Sequence, residues 1–405
     1  MSGIDSHDDD TTDEAAFRAK ARAFLGARLA PARTGGPVQV MGAGSDDLDE
    51  GRTFLEVLGE WAVPIWPAAA GGLGASPALA TVLAQELATF DAPDLYPFMV
   101  GLSLVGPTVL AHGSEDQQNR WLPSIRTGDE VWCQLFSEPG AGSDMANLAC
   151  KAVLDGDVWR VTGQKVWSSR AHYSKWGLLL ARTDPSVSKH AGITCFAVDM
   201  DSEGVEVRPI VQVNGDKHFN EVFLSDVLVP TDNQIGALGA GWKVAMTTLA
   251  HERLTIGQTG AMMTVEQVLD LVRRTGKVSD PVVRDRAMRI VIRLEIARYS
   301  KLRSRSEARA GKPVGPEGSG TKVWMSDTMK AAADLAMTLL GPAAVAHVDG
   351  TDEGEWPMLF LTGPSLSIRG GTDEVMRNIL GERVLGLPPE PRVDKDIPFS
   401  ELGRR

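Results

Sequence analysis

Gln134-Leu135-Phe136-Ser137-Glu138-Pro139-Gly140-Ala141-Gly142-Ser143-Asp144 is the stretch on which the reading of this chain turns. A short β-like run enters a glycine-rich turn and leaves it through a hydroxyl and a carboxylate. Glycines there let a ligand approach the backbone closely, and free N–H groups can meet its electron-rich atoms. A plain β-turn closed by capping residues accounts for the same letters. Further on lies Gly163-Gln164-Lys165-Val166-Trp167-Ser168-Ser169. A Trp at a strand end can stack on a planar cofactor while the hydroxyls meet its edge, and it can equally be ordinary core.

Working outward, residues 131–137, 158–168, 176–181, 192–198, 205–211 and 222–229 are short β-branched or aromatic runs. Turns such as Asp155-Gly156-Asp157 separate them, which predicts a small barrel or sandwich over 131–236. The preceding segment, 14–130, has helical periodicity: Phe17, Ala21, Phe24 and Leu25 share a face, as do Leu48, Phe54, Leu55 and Leu58. Ser76-Pro77 is an N-cap followed by Pro at the first helical position, and Gly113-Ser114-Glu115 opens another helix. After Gly236 helices return, near 241–274, 281–309, 322–346 and 372–385, making 237–405 a C-terminal helical segment. The fold class is α+β, with the β segment between two helical ones. Residues 1–13 are acidic and polar and are expected to be disordered.

Composition narrows the function. The 405 residues are 43% hydrophobic and 23% charged, ordinary for a globular protein with a large core. The net charge is −12, and half of it comes from Asp5, Asp8, Asp9, Asp10, Asp13 and Glu14, which no Lys or Arg offsets. Three scattered cysteines, Cys133, Cys150 and Cys195, argue for a reducing compartment. Without a signal-like start or an apolar run of about 20 residues, the expectation is a cytoplasmic protein with no membrane partner. Gly42-Ala43-Gly44 and Gly140-Ala141-Gly142 both lack the third glycine of the dinucleotide fingerprint. His and Cys never fall at ligand spacing, so no metal is expected, and no Gly-x-Ser-x-Gly elbow occurs.

Taken with Gly113-Ser114-Glu115-Asp116-Gln117, Arg120-Trp121-Leu122-Pro123, Gly370-Gly371-Thr372-Asp373-Glu374 and Glu382-Arg383-Val384-Leu385-Gly386-Leu387-Pro388, the two central motifs resemble the acyl-CoA dehydrogenases over roughly residues 15 to 390. The resemblance implies an N-terminal helical domain, a central β-barrel-like domain and a C-terminal four-helix bundle. It also implies FAD, and an acyl-CoA whose α-proton leaves to a carboxylate while the β-hydrogen leaves as hydride. By resemblance, Gln134, Phe136 and Ser137 face the isoalloxazine ring, with Trp167 and Ser169 on its other contacts. Gly142 belongs to the same cofactor set, Ser143 meets the CoA portion, and Thr372 and Glu374 approach FAD from the last helix.

The reaction needs a carboxylate base. In most members that Glu directly precedes the Gly-Thr of the last motif, where this chain has Gly370 after Arg369. Isovaleryl-type and long-chain members carry it instead in the first long helix of the C-terminal domain, just before an Arg. Ala250-His251-Glu252-Arg253-Leu254 matches that place, so Glu252 is the expected base and Arg253 a substrate-side neighbour. A lone Glu on a surface helix is the simpler reading. Leu249, Arg253 and Ile256 share one helix face, with Glu252 beside it. The Gly370 N–H would hold the thioester oxygen together with a ribityl hydroxyl.

The pattern departs where homotetrameric members lend residues to a neighbour's FAD. The Arg-x-x-Phe-Gly segment is replaced around Arg273-Arg274-Thr275-Gly276-Lys277, and the Gln-x-x-Gly-Gly segment by Thr338-Leu339-Leu340-Gly341-Pro342, keeping only Gly341. Either other residues bind the diphosphate in a homodimer or homotetramer, or a second dehydrogenase-like subunit supplies that half, as in actinobacterial steroid-degrading members. Residues 270–312 hold 13 Lys/Arg against 5 Asp/Glu. A solvated helix face, a phosphate-facing role and nucleic-acid binding are the readings, and the pI of about 5.2 argues against the last. The expected activity is dehydrogenation of an acyl-CoA to a trans-2-enoyl-CoA with electrons passing to an electron-transfer flavoprotein. The alternatives are a flavin-dependent oxidase or oxygenase, or a partner subunit without its own turnover.

Overall fold

The computed structural model describes residues 10–32, 46–258, 263–310, 315–346, 354–391, 394 and 396–402, with side chains at 253–258 and 308 excepted. They divide into two compact units, one ending its main stretch at Thr259 and the other running from Gly260 to Pro391.

The first unit opens with helices α1 (Thr12–Gly26), α2 (Leu48–Leu58) and α3 (Pro77–Leu87). Thr11 and Glu14 form a capping box, so order begins inside the stretch expected to be disordered. The reason is local: Arg18 binds the Asp10 carboxylate at 2.6 Å and ties the acidic lead-in to the helix. Ser76 caps α3 with Pro77 in its first turn, as the sequence predicts. A π-helical turn, Val100–Val105, leads into α4 (Gly106–His112), and α5 (Glu115–Thr127) starts on a Ser114–Gln117 capping box.

Eight strands follow: β1 (Trp132–Leu135), β2 (Lys151–Asp155), β3 (Val158–Ser169), β4 (Trp176–Arg182), β5 (Ile193–Asp199), β6 (Val205–Ile210), β7 (Phe219–Pro230) and β8 (Gln234–Ile235). Their order is β6-β7-β3-β2-β4-β5-β8, with β1 parallel to β4. A single residue pair, Lys151 with Arg182, joins β2 to β4, so two halves of the sheet fold against each other. Cys133, Leu135, Leu179, Phe196 and Val198 of one half meet Val161, Val222 and Leu224 of the other in one core. The opposite face of β4 and β5, with Trp176, Leu178, Leu180 and Cys195, packs on the helices. Both faces of β4 are covered, which is why its sequence is a continuous apolar run.

Helix α6 (Gly241–Gln258) belongs to this first unit, although its texture groups it with the later helices. Val244 and Ala245 enter the core shared with β5, and Thr248 Oγ1 lies 2.9 Å from Thr108 Oγ1 of α4. The second unit contains α7 (Val265–Arg274), α8 (Pro281–Arg309), α9 (Gly318–Leu340), α10 (Glu355–Thr362) and α11 (Asp373–Ile379). Their core runs along α9 through Met329, Ala332, Ala333 and Ala336, and the three alanines let the neighbouring helices approach closely. No helix among the described residues is long and apolar enough to cross a membrane.

Candidate functional site

The two central motifs are wired together. Glu138, at the start of the glycine-rich turn, pairs with the fully buried Lys165 of β3 at 2.6 Å. Its carboxylate also accepts the N–H groups of Ala149 (2.6 Å) and Cys150 (3.0 Å), closing the base of the turn. Lys165 donates further to the Leu180 carbonyl (2.8 Å) and the Phe136 carbonyl (3.4 Å), and Val166 N–H reaches Ser137 O at 3.0 Å. Gln134 and Phe136 are thereby held beside the Trp167 strand, and Ser137 stands exposed between them and the turn.

Trp167 is not core. The β3–β7 register shifts between Lys165 and Ser168, and at that bulge Trp167 takes φ 60°, a conformation costing about 1–3 kcal/mol for a bulky residue. The result is a ring 58% exposed whose only aromatic neighbour among the described residues is Phe219, at right angles to it with centroids 6.0 Å apart. Ser169 is half-buried beside it. Ser168 Oγ is buried with no hydrogen-bond partner among the described residues. A strained, solvent-facing indole, an orphaned hydroxyl and the exposed Ser137 form a surface that suits a planar heteroaromatic ring with a polar edge.

At the far end of the turn Gly142 has φ 56° and open space where a Cβ would sit, and Ser143 is exposed. Asp144 binds Lys189 at 2.7 Å. Cys133 and Cys150, which flank this region, are buried; burial pushes their thiols up to about 12 and about 11, so neither acts as a nucleophile.

On α6 the buried stripe runs through Gly241, Val244, Ala245 and Thr248. Glu252 falls one turn beyond Thr248 and is half-buried, so it continues that stripe, next to the face that carries Leu249. Thr247 binds His112 Nε2 at 2.8 Å and helps fix the helix. Burial lowers the pKa of His251 and favours its neutral form. Arg253 continues the helical backbone, and its side chain lies outside the described residues.

In the second unit, Thr372 caps α11 by accepting Val375 N–H at 3.2 Å, after Gly370 and Gly371 at φ 65° and 90°. The φ of 90° at Gly371 is one that L side chains rarely adopt, so this turn requires glycine there. Glu374 is exposed; the buried acid is Asp373, bonded to Lys322 (2.8 Å) and Ser326 (3.2 Å) of α9. Burial works to raise the Asp373 pKa, but bonds from Lys322 and Ser367 outweigh it and hold the carboxyl low. Gly341 ends α9 at φ 55°, about 20 Å along the helix from Ser326, and does not join the α11 turn.

Residues 11–129, 133–227 and 239–385 match the N-terminal, middle and C-terminal domains of acyl-CoA dehydrogenases. Acyl-CoA dehydrogenase IpdE1 of Mycobacterium tuberculosis (strain ATCC 25618 / H37Rv) is 39% identical over 386 residues, 93% of this chain and 98% of that protein. The chain belongs to the acyl-CoA dehydrogenase family. Its fold superposes on the Tcur3481-Tcur3483 steroid ACAD with a TM-score of 0.79 at 30% identity, covering 94% of this chain and 99% of that one. The ChsE4-ChsE5 complex from Mycobacterium tuberculosis gives 0.75 at 28% identity, covering 94% and 99%.

In this acyl-CoA dehydrogenase the ionic ties that hold the two glycine-rich turns, through Glu138, Lys165, Lys189 and Asp373, are not among the site residues expected from the sequence. Glu138, Lys165 and Asp373 lie inside the quoted motifs, and a charged residue within an apolar strand is the signal that could have found Lys165.

Proposed function

We propose that this family member is an FAD-dependent enzyme that dehydrogenates an acyl-CoA thioester to the trans-2-enoyl-CoA, with Glu252 as the base. The observation that carries the reading is Glu252 itself, half-buried where the packed stripe of α6 continues, in a chain whose other expected position for the base is Gly370. Gln134, Phe136, Ser137, Gly142, Trp167, Ser169, Thr372 and Glu374 would hold FAD. The strained Trp167 and the orphaned Ser168 hydroxyl fit a flat ring with a polar edge. When bound, FAD supplies the acceptor for the β-hydride. Glu252 takes the α-proton, and a neutral His251 places no second charge beside it. The Gly370 N–H orients the thioester oxygen and stabilises the charge that grows there as the proton leaves. Ser143 meets the CoA portion. Electrons then pass to an electron-transfer flavoprotein.

The acyl group is a bulky one, a side chain borne on a steroid. Support comes from the helix placement of the base and from likeness to a steroid ACAD. The chain works beside a second dehydrogenase-like subunit: the segments that would serve a neighbour's FAD match poorly, and both solved relatives above carry two-component names. The test of the chemistry is Glu252→Gln, assayed with a series of steroid-side-chain acyl-CoA thioesters. Loss of a general base should cut turnover by about 10²–10⁴-fold, with FAD content unchanged. Dehydrogenation retained at the wild-type rate would overturn the base.

A further inference from the structure

The glycine-rich turn has little to hold it from within. Its own backbone bonds are Ala141 N–H to Glu138 O (3.2 Å) and Asp144 N–H to Ala141 O (3.1 Å). Neither Gly140 nor Gly142 meets anything within 4 Å of a Cβ position. Two glycines in open space leave the backbone many alternatives, so an ordered Ser143 must be fixed from outside.

Glu138 ties the entrance of the turn to Lys165, Ala149 and Cys150, and the ties at its far end converge on the loop between β4 and β5. Lys189, nearly buried, binds Asp144 at 2.7 Å and, on the other side, Asp394 of the C-terminal tail at 2.6 Å. Burial works against the Lys189 charge, and the two carboxylates outweigh it and raise its pKa. Arg182, buried at the end of β4, donates to the carbonyls of Ala146 (2.7 Å), Leu148 (3.1 Å) and Lys189 (2.9 Å). It thereby holds both the exit of the turn and the Lys189 loop.

The tail in turn holds that loop. Phe399 N–H donates to Val187 O and Ser400 N–H to Pro185 O, both at 2.9 Å, and Ser188 bridges to Pro398. The Arg182 guanidinium lies 3.6 Å from the centre of the Phe399 ring. A segment some 250 residues later in the chain thus reaches the turn through Lys189 and Arg182.

We infer that the C-terminal tail is a strap whose Asp394 and Phe399 act as positioning residues, fixing the Gly140–Ser143 turn and so setting affinity for the CoA portion of the substrate. The strap touches no reacting atom. Its last step rests on the reading of Ser143 given above, and the experiment keeps the two apart.

Asp394→Asn and Phe399→Leu are made in the full chain, co-expressed with the second dehydrogenase-like subunit so that FAD is loaded. Both residues are half-buried, and Phe399→Leu keeps most of the volume. Amide exchange over 140–148 is expected to quicken by about tenfold in the double variant, because losing these ties favours local opening of the turn. Coenzyme A itself, titrated calorimetrically, is expected to bind about three- to tenfold more weakly, with FAD content and the thermal midpoint little changed. Asp394→Glu with Phe399 intact should keep both readouts near the wild-type values. Unchanged exchange over 140–148 overturns the strap. Quickened exchange with unchanged CoA affinity overturns its role in binding, and so does a thermal loss that accounts for the whole effect. If the FAD-loaded wild-type assembly binds no coenzyme A, the functional reading falls and takes the affinity claim with it, and the exchange rates alone then decide the strap.

Discussion

Two positions apart on β3, Lys165 and Trp167 invert the usual residue preferences: the cation is buried and the indole stands in water. Each inversion carries a different prediction. Lys165 neutralises Glu138 in a dry site, so Lys165→Met leaves an uncompensated buried carboxylate and should cost about 3–5 kcal/mol. Adding Glu138→Gln should recover part of that loss, because the two changes remove one interaction; urea unfolding of the four-member cycle measures it. Strict additivity would mean that the pair is not coupled. Trp167→Asn should behave otherwise. Asn tolerates φ 60° and little packing is lost, so apoprotein stability should move by less than about 1 kcal/mol while FAD retention falls at least about tenfold. A large stability loss with FAD retained would make Trp167 a packing residue.

At the scale of elements, α1 is clamped to α3 by a fully buried Glu86, which binds Arg18 at 2.9 Å and Arg22 at 2.8 Å. Burial alone would raise the Glu86 pKa; the bonds from Arg22 and Arg18 outweigh it and bring it below 4.5. A carboxyl lowered by folding contributes stability above its unfolded pKa and loses it as pH falls through the folded value. The thermal midpoint should therefore drop as pH is lowered from about 4.5. Glu86→Gln should lower the midpoint at neutral pH and flatten this acid limb; an unchanged limb would place the acid sensitivity elsewhere. The sequence made the elements legible wherever one residue type has one physical use. Ser76-Pro77 marks a helix start, and the apolar run of β4 marks a strand covered on both faces. Packing partners were less legible. Nothing in the periodicity of α6 says that its apolar face lies on β5, because an amphipathic stripe records burial and not what buries it. The φ 60° of Trp167 is set by register against β7, and the Asp144–Lys189–Asp394 tie joins three distant segments, so neither leaves a local trace.

For the whole molecule, the net −12 conceals a basic stretch in which several charges answer to local partners. Arg286 pairs with Asp334, Arg289 with Asp285 and Arg298 with Glu295, and the Arg293 guanidinium lies over Trp324. The solvated-face reading covers these. It does not cover the apolar stripe between them: Met288, Ile292, Ile296 and Tyr299 are exposed at helical spacing on α8, with Arg284 and Arg303 at its ends. A stripe of that kind is stabilised by burial against another surface. Two copies of this face would set arginines against arginines, whereas a different subunit with acidic residues there would satisfy both the stripe and its borders. That argument and the poorly matched FAD-lending segments favour the same arrangement, a hetero-oligomer. Native mass measurement of the chain purified alone should then show no homotetramer, with FAD well below one per subunit. Co-expression with a second dehydrogenase-like subunit should then restore both assembly and FAD. Ile292→Glu, 57% exposed in the single chain, should leave stability within about 0.5 kcal/mol and block that assembly. A homotetramer with one FAD per chain would remove the need for a second subunit and assign the stripe to self-association.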